Sequence, residues 1–235
     1  MEGTSQIANK EELVPGEEFS QERWMKQITL LSKTAPDCDI EVFCFLFREI
    51  CNLFKLMSKA MYLAFNDIST KADTIIANRE YHASNGQSAA TKSLKAFILM
   101  EIQEGYHTLN GKTNSEKIKD KTSWKYTYAS TARTALRDMW LLDYLTLLLK
   151  DIRDFPEKSM KEVSKNAYDM ALAPHHPWLI RNIASVAVAA VPSKEDFLDK
   201  TNCDIKQIGE AVDKLTILKD ALWKFYKENG IDDLD

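Results

Sequence analysis

From residue 43 to residue 64 the side chains Phe43, Leu46, Ile50, Leu53, Phe54, Met57, Met61 and Ala64 recur mostly at intervals of three and four. That period puts one apolar face on a long amphipathic helix ending near Asn66. A face of this length has to be buried against further secondary structure. The other candidates along the chain are helical as well. Residues 19–32 carry Trp24, Ile28 and Leu31 at suitable spacing, 68–80 form a shorter segment, and 88–106 align Leu94, Phe97, Ile98, Ile102 and Tyr106. Residues 127–153 are long and mostly apolar. Segments 160–172, 177–191 and 205–228 complete the set, with "VPSKEDF" as a capped break before the last. No alternating run is long enough for a sheet, and seven glycines and six prolines are too few for a sandwich of many tight turns. The sequence predicts an all-α chain with a single domain over residues 19–228. Residues 1–18, with five glutamates and one lysine, predict a mobile acidic arm, and 229–235 an acidic tail.

Composition narrows the function classes by exclusion. The formal net charge of −4 over 235 residues opposes a dedicated nucleic-acid binder, which carries a basic domain. Cys38, Cys44, Cys51 and Cys203 lack the paired spacing of a zinc site. Free buried thiols in a reducing compartment are expected, with no metal and no cofactor. The opening residues MEGTSQIANKEEL have neither the basic nor the apolar region of a secretory signal. No apolar run approaches the ~18 residues of a membrane span. The expected location is cytoplasmic. Residues 109–125, with five lysines against Glu116 and Asp120, predict a long solvated connection, with attraction to an anionic membrane surface as its alternative.

Several charges stand where a helical core face should continue. On the helix predicted over 127–153, Arg133 and Arg137 are one turn apart, and Trp140, Tyr144 and Leu148 continue their stripe. Like charges at that spacing repel by about a few tenths of a kcal/mol, so an anion is expected between them. Guanidinium forks suit phosphate because two N–H groups meet two oxygens at once. The plainer account is pairing with structural carboxylates, or arginine stems covering apolar surface. Asp67 and Lys71 are also one turn apart. An N-cap at Asp67 and a surface pair with Lys71 would explain them equally well. In "APHHPWLIRNIASVAVAAVPS", two of the four histidines lie between prolines. His176 precedes Pro177, which biases it to an extended conformation and lets a helix begin at Pro177 or Trp178. A polar cap and an imidazole facing a ligand both fit His176. No GxSxG, HExxH or Cys/His arrangement points to catalysis. An acid/base pair of Asp67 and His176 acting on a phospholipid would have neither nucleophile nor metal set beside it.

Three segments, in order, resemble one family, that of the glycolipid-transfer-protein fold. "DISTK", residues 67–71, resembles the segment bearing that family's headgroup aspartate. "RTALRDMWLLDYLTLLL", residues 133–149, is similar to the helix lining the headgroup site. "AYDMALAPHHPWLIRNIASVAVAAVPSKEDFL", residues 167–198, resembles the segment carrying the ceramide-contacting histidine, followed by a proline break. The resemblance covers about residues 20–228 and implies a two-layer helical sandwich that opens a sleeve for lipid chains. It implies transfer of one sphingolipid between membranes without catalysis. Carried over by residue, Asp67 accepts from the sphingoid amide N–H and His176 bonds the oxygen of that amide. Lys71, Arg133 and Arg137 join Asp67 around the headgroup, Trp178 sits near the membrane entrance, and His175 is a bystander.

The family's glycolipid-carrying branch has an asparagine between the aspartate and the lysine of its sugar contacts, and a tryptophan platform where arginines stand here. Its ceramide-1-phosphate branch has a lysine placed like Lys71 and an arginine pair spaced as Arg133 and Arg137. The resemblance therefore implies non-enzymatic transfer of ceramide-1-phosphate or a related phospho-headgroup sphingolipid. It implies transient membrane-surface contact and no nucleic-acid partner. Glycosylceramide transfer, and a sensor that binds a sphingolipid without shuttling it, are the alternatives. Phe43, Phe47, Leu53, Phe54, Met57, Leu148, Val186 and Ala190 are candidates for core or sleeve. A sleeve of this kind is expected to be partly collapsed on its own side chains. The 109–125 connection is longer than the family pattern, and the acidic arm has no counterpart in it.

Overall fold

A computed structural model describes residues 10–111, 114 and 118–234. Among these residues there are ten α-helices and no strand. They are α1 (Gln21–Thr34), α2 (Ile40–Met57), α3 (Lys59–Phe65), α4 (Asp67–His82), α5 (Leu94–Gln103), α6 (Thr131–Asp154), α7 (Met160–Ala171), α8 (Trp178–Ala189), α9 (Lys194–Thr201) and α10 (Ile205–Glu228). Side-chain caps set most of the starts, because the first turn of a helix has N–H groups with no partner of their own. Ser159 and Glu162 form a reciprocal capping box at α7, and Asp204 and Gln207 form another at α10.

Three boundaries differ most from the periodicity, and serine accounts for each: the helix expected from residue 88 begins only at Leu94, where Ser93 accepts from Ala96 N–H at 3.2 Å. The helix expected to run on to Asn66 stops at Ser58, which is extended and caps the next helix through Met61 N–H. Serine offers the backbone this alternative bond, so α2 and α3 are separate helices. "SKED" is more than a break: Ser193 accepts from Asp196 N–H at 3.0 Å and starts α9.

The helices form two layers. In one, α2 lies against α1, α3 and α4; in the other, α6 lies against α7 and α10. Contacts of α4 with α6 and of α1 with α10 join them. Phe43, Phe47, Leu53, Phe54, Met57 and Leu148 are buried as expected, whereas Val186 and Ala190 are exposed. Aromatic side chains fill the interior: Phe43–Phe47 and Phe54–Phe65 each have ring centroids 4.9 Å apart, and Phe65 stacks on Tyr144 at 5.9 Å. All four cysteines are free and buried, and burial pushes the Cys38 and Cys51 thiols up to about 12.

The stretch expected as an arm is docked from Lys10 onward. Leu13 is buried, Gln27 donates to its carbonyl at 2.8 Å, and Lys26 pairs with Glu12 at 2.8 Å. One leucine among glutamates suffices to seat the segment on α1 and α2. Residues 1–9 lie outside the described residues. Part of the lysine-rich connection is likewise pinned rather than solvated. Asn114 is buried, accepts from Asn110 N–H at 2.7 Å and donates to the Lys125 and Tyr128 carbonyls at 2.7 Å. Lys112 and Lys117 are outside the described residues.

Candidate functional site

A cavity of about 870 Å³ opens between α3, α4, α6 and α8, closed on one side by the segment that follows α10. Its polar lining is Asn66, Asp67, Lys71, Arg137, His175, His176 and Asp233. Leu63, Ile180, Ile183 and Leu234 are among its apolar members. The volume is that of a small-molecule site, and an apolar wall with a few convergent charged groups is the usual build of one.

α4 supplies the first pair. Asp67 is the first residue of that helix, whose cap position is Asn66 and makes no side-chain cap bond. Asp67 is therefore no N-cap. Its carboxylate lies in the first turn, where the helix dipole favours a negative charge, and pairs with Lys71 one turn on. Lys71 is the more buried partner, and both side chains line the cavity.

α6 supplies Arg137, whose Nη1 donates to the Arg133 carbonyl at 2.8 Å and whose guanidinium lies 5.4 Å from the Trp140 ring. Arg133 itself does not line the cavity, against the expectation that both arginines would. Residues 131–136 are all buried, and Ser130 caps Arg133 N–H. The opening turns of α6 are covered by α5 and α10, so the helix first reaches the cavity at Arg137.

His176 is extended, as the following proline requires, and its Nδ1 lies 3.0 Å from the Tyr168 hydroxyl. Burial holds its pKa below the ordinary histidine value, with Asp67 pulling it back up. A neutral imidazole with one nitrogen occupied by Tyr168 has the other left for a ligand group. Trp178 opens α8 and is 73% exposed.

Among the cavity members outside the expected site residues are His175, Trp140 and Asp233. His175 stacks on Trp140 with centroids 3.8 Å apart and planes 4° from parallel. Trp140 carried a signal, since it continues the Arg133–Arg137 stripe at a spacing of three. Asp233 carried none.

Asp138, beside Arg137, is buried with neither carboxyl oxygen hydrogen-bonded among the described residues. Burial pushes its carboxyl well above the usual range, while Lys71 pulls the other way. Because the folded pKa is raised, folding favours the protonated form. The stability this group allows is intact below the ordinary value of 3.8 and is lost as pH rises through the folded pKa. Asp138→Leu is expected to gain about 1–3 kcal/mol at neutral pH, and less as pH falls towards the ordinary value. Urea unfolding at several pH values measures this. A variant no more stable than the wild type at neutral pH would refute it.

The chain belongs to the glycolipid transfer protein (GLTP) family, whose model matches residues 38–203. Within that family, a human ceramide-1-phosphate transfer protein is 27% identical over 154 residues, which is 63% of this chain and 66% of that protein. Its bovine counterpart is 32% identical over 111 residues, 45% of this chain and 52% of the relative. The alignments thus span about half to two thirds of these relatives' length. Solved structures extend the likeness of fold. Mouse ceramide-1-phosphate transfer protein in its apo-form has a TM-score of 0.75 at 20% identity, covering 93% of this chain and 100% of that one. The human protein in complex with 12:0 ceramide-1-phosphate has a TM-score of 0.73 at 20% identity, covering 90% and 98%. The two-layer all-helical fold expected from the motifs is the fold these structures have.

Proposed function

We propose that this chain carries a sphingolipid with a phosphate-bearing headgroup between membranes, without chemical change to it. The observation that carries this is one cavity holding Lys71, Arg137, Asp67 and His176 beside the apolar wall of Ile180 and Ile183. Lys71 and Arg137 meet the phosphate, with Arg133 adding positive charge from one turn behind. Asp67 and His176 take the amide N–H and oxygen. A neutral sugar in this place would offer Lys71 and Arg137 no negative charge, whereas phosphate oxygens accept charge-assisted hydrogen bonds from both. The human relative's complex with ceramide-1-phosphate supports the same ligand class.

Transfer needs a sleeve and a contact with the bilayer. Exposing a chain of about sixteen carbons to water costs on the order of 13 kcal/mol, at about 0.8 per methylene. A protein that receives the chain at the membrane surface avoids most of that barrier. The interior is filled by its own aromatic side chains, so an entering chain has to displace them. α8 supplies the contact. Trp178, Leu179, Ile183 and Val186 are all more than half exposed on it, and Leu63 of the adjoining α3 extends the patch. An exposed apolar surface of this extent beside a cavity mouth fits shallow insertion at the headgroup boundary, with Trp178 as interfacial anchor. Among the described residues no helix is long and apolar enough to cross a membrane.

The test is transfer of labelled ceramide-1-phosphate and galactosylceramide between vesicles. Faster transfer of the phosphate lipid, recovered unchanged, is expected. Faster movement of the galactolipid would overturn the headgroup assignment, and saturable binding with no transfer would make the protein a sensor.

A further inference from the structure

The cavity holds a group that a phosphate monoester does not call for. Asp233 lies in its lining together with Leu234. The segment is fixed there: Gly230 turns the chain out of α10 with φ +63°, and Ile231 is buried and donates its N–H to the Tyr226 carbonyl at 3.1 Å. Counted as formal charges, the lining carries Lys71 and Arg137 against Asp67 and Asp233, with the two histidines neutral. A monoester brings about −1.5 to −2 near neutrality. It would add that charge to a lining whose own charges cancel, with Arg133 as a further cation behind it and Asp233 repelling it. A phosphodiester bearing an ammonium brings no net charge.

Asp233 and His175 line the same cavity. The Asp233 carboxylate is among the charges felt by that imidazole, while burial first and then Arg137 keep the ring's pKa below the ordinary value. The stack on Trp140 fixes the plane of the ring. A neutral imidazole and a carboxylate lining one cavity each offer a hydrogen-bond acceptor. They suit a group that donates N–H bonds, which a primary ammonium does and a quaternary one does not.

We infer that Asp233 and His175 form an acceptor subsite for the primary ammonium of a sphingolipid phosphodiester, a ceramide whose phosphate is esterified to a short amino alcohol. This rests on the transfer proposed above and names its headgroup. The phosphate then faces Lys71 and Arg137, and the amine extends past Arg137 to the segment following α10.

Vesicle transfer of ceramide phosphoethanolamine, ceramide-1-phosphate and sphingomyelin by the whole chain tests it, with Asp233→Asn and His175→Phe alongside. The second variant keeps a ring to stack on Trp140 and removes the acceptor. The wild type is expected to move the ethanolamine diester fastest. Asp233→Asn should shift the ratio of ethanolamine diester to monoester by about tenfold towards the monoester, the value of one charge-assisted hydrogen bond. His175→Phe should shift it in the same direction. A wild type that moves the monoester but not the ethanolamine lipid would overturn the subsite and leave the transfer proposal standing. So would an unmoved ratio in Asp233→Asn. Sphingomyelin moving as fast as the ethanolamine lipid would overturn the acceptor pair, because choline has no N–H to donate. If no sphingolipid moves at all, transfer fails and the subsite with it.

Discussion

Arg137→Trp should lower transfer of phosphate-headgroup sphingolipid by about 100-fold while leaving movement of a glycosylceramide no worse than in the wild type. Arg137 is the first residue of α6 to line the cavity, and it does so on the turn where Trp140 and Leu141 also line it. A guanidinium meeting phosphate makes paired charge-assisted hydrogen bonds. Losing them leaves phosphate oxygens desolvated without a donor, at a cost of about 2–3 kcal/mol, which corresponds to roughly 30- to 150-fold in affinity. Tryptophan keeps the contact area and offers a flat face of the kind that suits a sugar ring. The measurement is initial transfer rate against protein concentration, with vesicle binding recorded in parallel. Loss confined to the phosphate lipid supports headgroup recognition. Equal loss for both lipids would mean that Arg137 holds the helix in place and reads no headgroup. Arg133→Leu is a useful companion, since Arg133 lies behind the cavity and should cost several-fold less.

What the sequence made legible follows from the range of each interaction. Helical period and capping residues are local, so α6, α7, α8 and α10 start and stop within a few residues of the segments read from spacing alone. Asp67 and Lys71, or Arg137 and Trp140, are neighbours on a single helix, and a spacing of four or three is enough to place them together. The meeting of α4, α6 and α8 at one cavity is not a local property. It was legible only because the three motifs appear together in one known family. Arg133 shows the limit of that route. It matches the motif as well as Arg137 does, yet six consecutive buried residues, 131–136, cover its turn. Asp233 and His175 are brought to one cavity by the course of α10 and the turn at Gly230, which no spacing encodes. Buried carboxylates were invisible for the same reason. Glu49 is buried and accepts from Ser20 N–H at 2.7 Å and from Arg23, tying α1 to α2, yet in sequence it is one more charge on a helix.

Glu101 is the buried carboxylate whose removal should cost the most. It lies in α5 and is fully buried. One oxygen accepts from the Tyr128 hydroxyl at 2.6 Å and from Thr131 N–H at 2.7 Å, and the other accepts from Ala132 N–H at 2.8 Å. The two backbone donors are the first N–H groups of α6, which no residue of that helix can satisfy, and the helix dipole adds to the attraction. Burial pushes the Glu101 pKa up, and the bonds from Tyr128, Ala132 and Thr131 oppose that shift. Glu101→Ala would leave the buried Thr131 and Ala132 N–H groups without their acceptor, would leave the Tyr128 hydroxyl only its contact with His82 Nε2 at 3.1 Å, and would open a void where the carboxylate stood. The expected loss is about 3–5 kcal/mol, which in a chain of this size lowers Tm by about 6–20 °C. Glu101→Gln keeps one acceptor oxygen and should lose roughly half as much. Thermal and urea unfolding measure both, and a loss below about 1 kcal/mol for the alanine variant would show that other groups hold the start of α6. The functional consequence runs through Arg137, which is fixed to the same helix by its bond to the Arg133 carbonyl. If Glu101 sets where α6 begins, a folded Glu101→Gln protein should lose headgroup selectivity before it loses the ability to bind vesicles.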